Sequence, residues 1–303
     1  MFRRFKSLAV AAVGFAFLSA CATAPGADAP TVAAAPTPGP AMWVIKDEDS
    51  TIYLFGTVHI LKKDTQWRTP AFDAAFGSAD ELWLEIDPGD DPNAAQGLVM
   101  SLGMNPGKPL SSLLTAEQNT RLNTVGATFG LPPGGLDPFK PWMAGLTLSI
   151  LPLMKDGYDP NLGIESIVRA DAKTSGKTIK AFETTEQQLR FFDNLPVATQ
   201  IEFLMSAVDG AAEGSKMLDG MVSAWSTGDT DALEAVLIAE MKDDYPDLYK
   251  VIIVDRNIAW AVSIQEMLKG KGVSFIAVGA GHLVGEDSVQ ALLAKKGIKA
   301  KRL

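Results

Sequence analysis

The spacing of apolar residues predicts strands at both ends of the chain and helices between them. "MWVIKDEDSTIYLFGTVH" (42–59) holds two apolar runs around the polar "DEDS", the pattern of a hairpin. "PAFDAAFGSAD" (70–80) fits a short helix with Pro70 in its first turn, and "ELWLEID" (81–87) alternates too little for a half-exposed strand and fits a buried one. "TAEQNTRLNTVGATFG" (115–130) opens on a capping-box pattern, Thr115 to Gln118, and closes on Gly130. A long helical stretch follows, broken by prolines at 132, 133, 138, 141 and 152. "GKTIKAFE" (176–183) reads as a strand, and 186–269 as nearly continuous helix with breaks at Pro196, Gly228 and Pro246. Strand "VSFIAVGA", helix "EDSVQALLAKKG" and strand "IKAKRL" complete the chain. The fold class expected is α/β (α+β): a central mixed sheet formed by the N- and C-terminal segments around a large helical middle.

The N-terminus departs from this pattern. Arg3, Arg4 and Lys6 precede an apolar stretch, Leu8 to Leu18, that is too short to span a bilayer comfortably. It ends in "LSAC", which resembles the lipobox of bacterial lipoproteins, with Cys21 as the lipidated first residue of the mature chain. No Asp follows the cysteine, so the expected address is the periplasmic side of the outer membrane. Residues 22–40 are Ala, Pro, Thr and Gly with almost no large apolar group, the composition of a flexible tether. The expected organisation is a signal peptide at 1–20, lipidated cysteine and tether at 21–40, and one domain at 41–303.

Composition narrows the function. The formal net charge of −9, with no basic cluster in the domain, argues against nucleic-acid binding. Cys21 is the chain's single cysteine, so the mature domain holds no disulfide, thiolate nucleophile or Cys metal site.

Four apolar runs end in a reactive polar residue: His59, Glu85 with Asp87, Glu183, and His282. In α/β sheets chemistry gathers at such strand ends. His59 and His282 are the chain's two histidines, and each closes a Gly-x-x-His motif, with Gly56 and Gly279 at its head. A glycine there permits a tight turn or close backbone approach that frees the imidazole to face a cleft. There is no His-Glu-x-x-His helix, nucleophile elbow or P-loop. Two neutral imidazoles and the Glu85 carboxylate make a first shell for a divalent transition metal, Mn, Co or Zn. The same groups can act without metal, His59 as general base with Glu85 orienting it. Glu183 stands either in the site or at the start of the helix that "ETTEQQL" predicts. Arg256 interrupts a strongly apolar helix; it either pairs with a carboxylate structurally or offers its guanidinium to a substrate carboxylate or an oxyanion.

These residues together resemble the TraB/PrgY/GumN family, to which the animal Tiki proteins are related. The resemblance covers about 42–303 and rests on "YLFGTVHIL", "LWLEID", "GIESIVRADAKTSGKTIKAFETTEQQLRFFDNLP", "DRN" and "AVGAGHLVGEDSVQALLAKKGIKAKRL". The chain departs from the family pattern at "GIE" (163–165), where Gly-Ile-Asp is expected, and no role is assigned to Glu165. The resemblance implies a Tiki-like fold related to the erythromycin-esterase and haem-binding ChaN types. Through the animal relatives it also implies metal-dependent peptidase activity, with the histidines and the glutamate in the site. The alternative is a non-catalytic protein that sequesters a peptide or haem in the same cleft. The partners expected are a peptide or protein substrate and, through the lipid, the membrane.

Overall fold

The computed structural model describes residues 39–89 and 92–303. Cys21, the apolar stretch before it and the tether up to residue 38 lie outside the described residues.

The predicted hairpin forms from β1 (Met42–Lys46) and β2 (Ser50–Thr57), paired antiparallel with Trp43 opposite Leu54. The Asp47 carboxylate closes its turn, accepting from the Ser50 amide at 2.8 Å and the Ser50 hydroxyl at 2.7 Å. A short β3 (Leu61–Lys62) leaves the main sheet and pairs with β5 (Tyr158–Asp159). The main sheet also takes β4 (Glu81–Ile86), β6 (Thr178–Glu183), β7 (Gly272–Gly279) and β8 (Lys301–Arg302), in the order β6-β4-β7-β2-β1-β8. β2, β7, β4 and β6 run parallel, while β1 and β8 are antiparallel at one edge. The fold is therefore α+β with a central mixed sheet.

The order of insertion matters. β2 and β4 are successive strands of the main sheet in sequence but do not touch; β7, arriving from the far end of the chain, fills the space between them. Thr57 pairs with Gly279 and Leu84 with Ala277, so the carboxyl ends of β2, β7 and β4 meet at one rim. That rim is where open parallel sheets collect ligands.

Two details differ from the sequence expectation. β6 comes from the middle of the chain, so the sheet is not built from the ends alone. "IKAKRL" forms only a two-residue strand, because its exposed lysines lie at the sheet edge, where charge blunts further pairing. The helices form largely as their caps predict. Thr69, Thr115, Thr184 and Ser288 each accept an amide of the first helical turn, and Thr115 and Thr184 complete capping boxes with Gln118 and Gln187.

Aromatic packing fixes one face of the sheet. Phe55 of β2 and Phe275 of β7 meet Phe72 at ring-centroid distances of 4.9 and 5.4 Å. Each such pair adds roughly 0.5–1.5 kcal/mol beyond area burial. Trp225, from helix Gly214–Thr227, buries its ring against Phe55 and donates its indole N–H to the Gly56 carbonyl at 2.7 Å. Gly56 is also pressed from the other side, where a Cβ would stand 3.1 Å from Ala280 Cα. The first Gly-x-x-His motif is thus held by a helix and by the backbone that follows β7.

Candidate functional site

Each strand end contributes one group. Glu85 is the penultimate residue of β4 and is 7% exposed. Its Oε1 accepts from the Gly279 amide at 2.6 Å, and its Oε2 from Arg256 Nη2 at 2.5 Å and Gln188 Nε2 at 3.1 Å. Glu183 ends β6 and accepts from Arg256 Nε at 2.9 Å, from the Trp260 indole at 2.9 Å and from Gln188 at 3.0 Å. A π-helical turn, Lys250–Val254, precedes helix Asp255–Met267 and aims Arg256 at these carboxylates; wide turns of this kind recur at functional sites. The Ile252 carbonyl in that turn accepts from Arg256 Nη1 at 3.1 Å.

The remaining Arg256 proton fixes the second histidine. Nη1 lies 2.9 Å from His282 Nε2, and a guanidinium can only donate, so Nε2 carries the lone pair and Nδ1 the proton. That proton points to Asn257 Oδ1 at 2.6 Å. Asn257 in turn donates to the Asp287 carbonyl at 2.8 Å, which leaves its oxygen free to accept. Burial, and then the guanidinium, push His282 down to about 3, so the ring is neutral. All five Arg256 donors are now engaged, and none is left for a substrate carboxylate or an oxyanion.

His59 has the opposite environment. It follows β2, is partly exposed, and sets its Nδ1 2.7 Å from Glu165 Oε1, which also accepts from the Thr57 hydroxyl. Burial works against charge on this ring, but the Glu165 carboxylate, with Glu85 further off, outweighs it and raises its pKa to about 9. Glu85 shows a similar contest: burial alone would raise it, but the Arg256 charge, followed by weaker neighbours including His59, holds its carboxyl well below the usual range.

The two histidines meet across Gly279. A Cβ on that glycine would lie 3.0 Å from Glu85 Oε1, 3.3 Å from His59 Nε2 and 3.7 Å from His282 Cδ2. Gly279 is thus the floor of a cradle walled by one imidazolium, one neutral imidazole and one carboxylate. A small polar group laid on that floor reaches Glu85 Oε1 and His59 Nε2 together.

His59, Glu85, Glu183 and His282, each at or just past a strand end, therefore converge with Arg256 of helix Asp255–Met267, while Asp87 turns away to pair with Arg169 at 2.8 Å. The carboxylate that orients His59 is Glu165 rather than Glu85, which is held by Arg256 and Gly279. Glu165 stands at the "GIE" departure from the family pattern, and that motif is its one sequence signal. Asn257 lies within the "DRN" that carried Arg256, and Gln188 had no signal at all.

Both imidazoles have the Nδ1–H partners that metal-bound histidines use. Of their Nε2 atoms, that of His282 is already engaged by Arg256, which a metal would have to displace, while that of His59 faces the cradle and would bind a metal only on losing its proton. Among the described residues no group of three or more His, Cys, Asp or Glu is arranged to hold an ion.

An apolar cavity of about 90 Å³ opens beside the cradle, and a second, of about 60 Å³, lies on the other side of His59 and Glu85. Three comparisons place this architecture among known proteins. The chain is 23% identical over 254 residues to the uncharacterized protein YbaP of Escherichia coli (strain K12), covering 84% of this chain and 92% of that protein. It is 22% identical over 268 residues to an uncharacterized protein of Treponema pallidum (strain Nichols), covering 84% of this chain and 80% of that one. No solved structure matches. The profile of the TraB/PrgY/gumN family matches residues 41–302, the whole span that carries the sheet and the cradle, and the chain belongs to that family.

Proposed function

We propose that the protein is a hydrolase that cleaves an amide bond of a peptide or protein, with His59 as its general acid. The observation that carries this is the divergence of the two histidines at one cradle, His59 raised to about 9 and His282 lowered to about 3. Neighbouring groups whose environments push them apart mark acid and base assignments. The scissile carbonyl lies over Gly279. Water attacks the carbonyl carbon while donating a hydrogen bond to Glu85 Oε1. His59 Nε2–H protonates the departing nitrogen as the C–N bond breaks, and the proton of the attacking water restores the imidazolium. Glu165 holds His59 in place, and Arg256 holds Glu85 and His282.

The metal-dependent form of this activity requires His59 to lose its proton and Arg256 to leave His282. Incubation of the purified protein with a peptide library, with and without chelator and added Mn²⁺, Co²⁺ or Zn²⁺, tests both. Cleavage that persists in chelator and disappears in His59→Asn supports the proposal. Absence of cleavage under every condition overturns it.

A sequestering role in the same cleft is favoured by one feature: the guanidinium has no free donor with which to stabilise a developing oxyanion. Binding of peptides without turnover identifies that case. For location, we infer lipidation at Cys21 and an address on the periplasmic side of the outer membrane, from "LSAC" alone. Cys21→Ser protein that still incorporates radioactive palmitate contradicts it.

A further inference from the structure

The cavity beside the cradle carries a statement about what enters it. Apart from the cradle groups, Thr57 and Gln188, its lining is apolar: Leu237, Ile238, Ile252, Ile253 and Phe191 are among its walls. No charged side chain lines it beyond Glu85, Arg256 and His59 at its mouth. Burying a charge or an unpaired polar group there costs several kcal/mol, so the occupant is apolar. A cavity that takes benzene measures about 150 Å³. At about 90 Å³ this one is smaller, so it suits a compact branched or thioether side chain better than the larger side chains of Phe and Trp.

Gly281 closes it. A Cβ there would stand 3.7–3.9 Å from the δ-carbons of Ile238, Leu237 and Ile253, ordinary contact that a larger side chain would turn into occupancy. The backbone at Gly281 is outside the left-handed region, so a side chain brings no strain. The glycine inside the second Gly-x-x-His motif, in the 3-10 turn Ala280–Leu283, therefore keeps space open. His59, Glu85 and Gln188 also line the second cavity, together with Pro88, Pro160, Glu165, Ser166 and Arg169. The reactive groups are the lining that the two cavities share, and they form the neck between them.

We propose that the substrate places one aliphatic side chain, of leucine, isoleucine or methionine size, in the chamber bounded by Gly281, with the reacting bond at the neck and the rest of the chain leaving past Pro160 and Ser166. This rests on the hydrolase reading and names its specificity.

Two experiments test it separately from that reading. In the first, peptides identical except at one residue beside the cleaved bond are compared on the full-length protein and on Gly281→Val. Wild type should prefer Leu, Ile and Met over Ala, and over Phe and Trp, by at least about tenfold in kcat/KM, since a lost methylene in such a pocket is worth 10-fold or more. Gly281→Val should lose the preference, with kcat/KM on Leu, Ile and Met peptides falling by at least about tenfold relative to that on Ala peptides. A flat profile, or a preference that survives Gly281→Val, overturns the assignment. In the second, crystals of both proteins are pressurised with xenon, a probe that needs no turnover. Xenon in wild type and none in Gly281→Val supports the chamber; xenon in neither or in both overturns it. If no peptide is cleaved but xenon binds as stated, the hydrolase reading fails and the chamber stands.

Discussion

Gly163 lies directly against the His59 backbone: a Cβ on it would overlap the His59 carbonyl, and the next amide, Ile164, donates to the Val58 carbonyl at 3.0 Å. Helix Ile164–Thr174 therefore starts in contact with the first Gly-x-x-His motif and brings Glu165 to the imidazole. The Gly163 backbone (φ −58°, ψ 144°) is open to any residue, so only space demands glycine.

Gly163→Ala should then push the helix start away and break the His59–Glu165 pair while the rest of the fold persists. The His59 pKa should fall from about 9 towards 6.5, measured by NMR titration. A His59 that still titrates near 9 would show that the contact is not what sets it.

Glu165→Gln keeps the shape and removes the charge. As a general acid, His59 works only while protonated, so wild-type kcat/KM should fall as pH rises through about 9, and the limb should move down by one or more units in Glu165→Gln. The same proton sets stability. Between pH 6.5 and about 9 the folded protein holds a proton that the unfolded chain has lost, so the His59 contribution to stability is full below 6.5 and declines towards 9. On the acid side, the lowered Glu85 and His282 pKa values remove stability as pH falls. His59→Asn should flatten the alkaline decline in thermal unfolding, and an unchanged decline would assign it elsewhere.

Gly279→Ala tests the cradle. The methyl would stand where substrate meets Glu85 and His59, without a left-handed φ to add strain. Activity should fall by about 100-fold or more, the scale of a 1 Å misplacement, with a loss of stability near 1 kcal/mol. A fully active Gly279→Ala protein would put the chemistry somewhere else.

Arg256→Met leaves two carboxylates buried without their cation. Removing one partner of such a buried network costs about 3–5 kcal/mol, and Arg256→Lys should restore little because an ammonium lacks the planar fork. Chemical denaturation measures both. A variant as stable as wild type would mean that solvent or rearrangement satisfies Glu85 and Glu183.

The site was legible in the sequence where local pattern determines position. His59, Glu85, Glu183 and His282 follow apolar runs, and parallel strands bring such ends to one rim. Arg256 showed itself as a charge inside an apolar helix. Glu165, Gln188 and Asn257 were hidden because their roles depend on which helix packs where: each is an ordinary polar residue until Gly163 docks on His59 or the π turn aims Arg256. The sheet edge misled for a related reason. "IKAKRL" has strand composition, but its lysines face solvent and pairing stops after two residues.

His59 and His282 are the chain's two histidines, so ¹⁵N-histidine labelling of the untagged protein gives one resonance pair for each and reads charge and tautomer directly. One ring should be an imidazolium at pH 7 that loses its proton near pH 9, with that step moving down in Glu165→Gln. The other should be neutral with the proton on Nδ1 and should not titrate above about pH 4. Two rings that both titrate near 6.5, or a His282 protonated on Nε2, would contradict the division of labour on which the proposed chemistry depends.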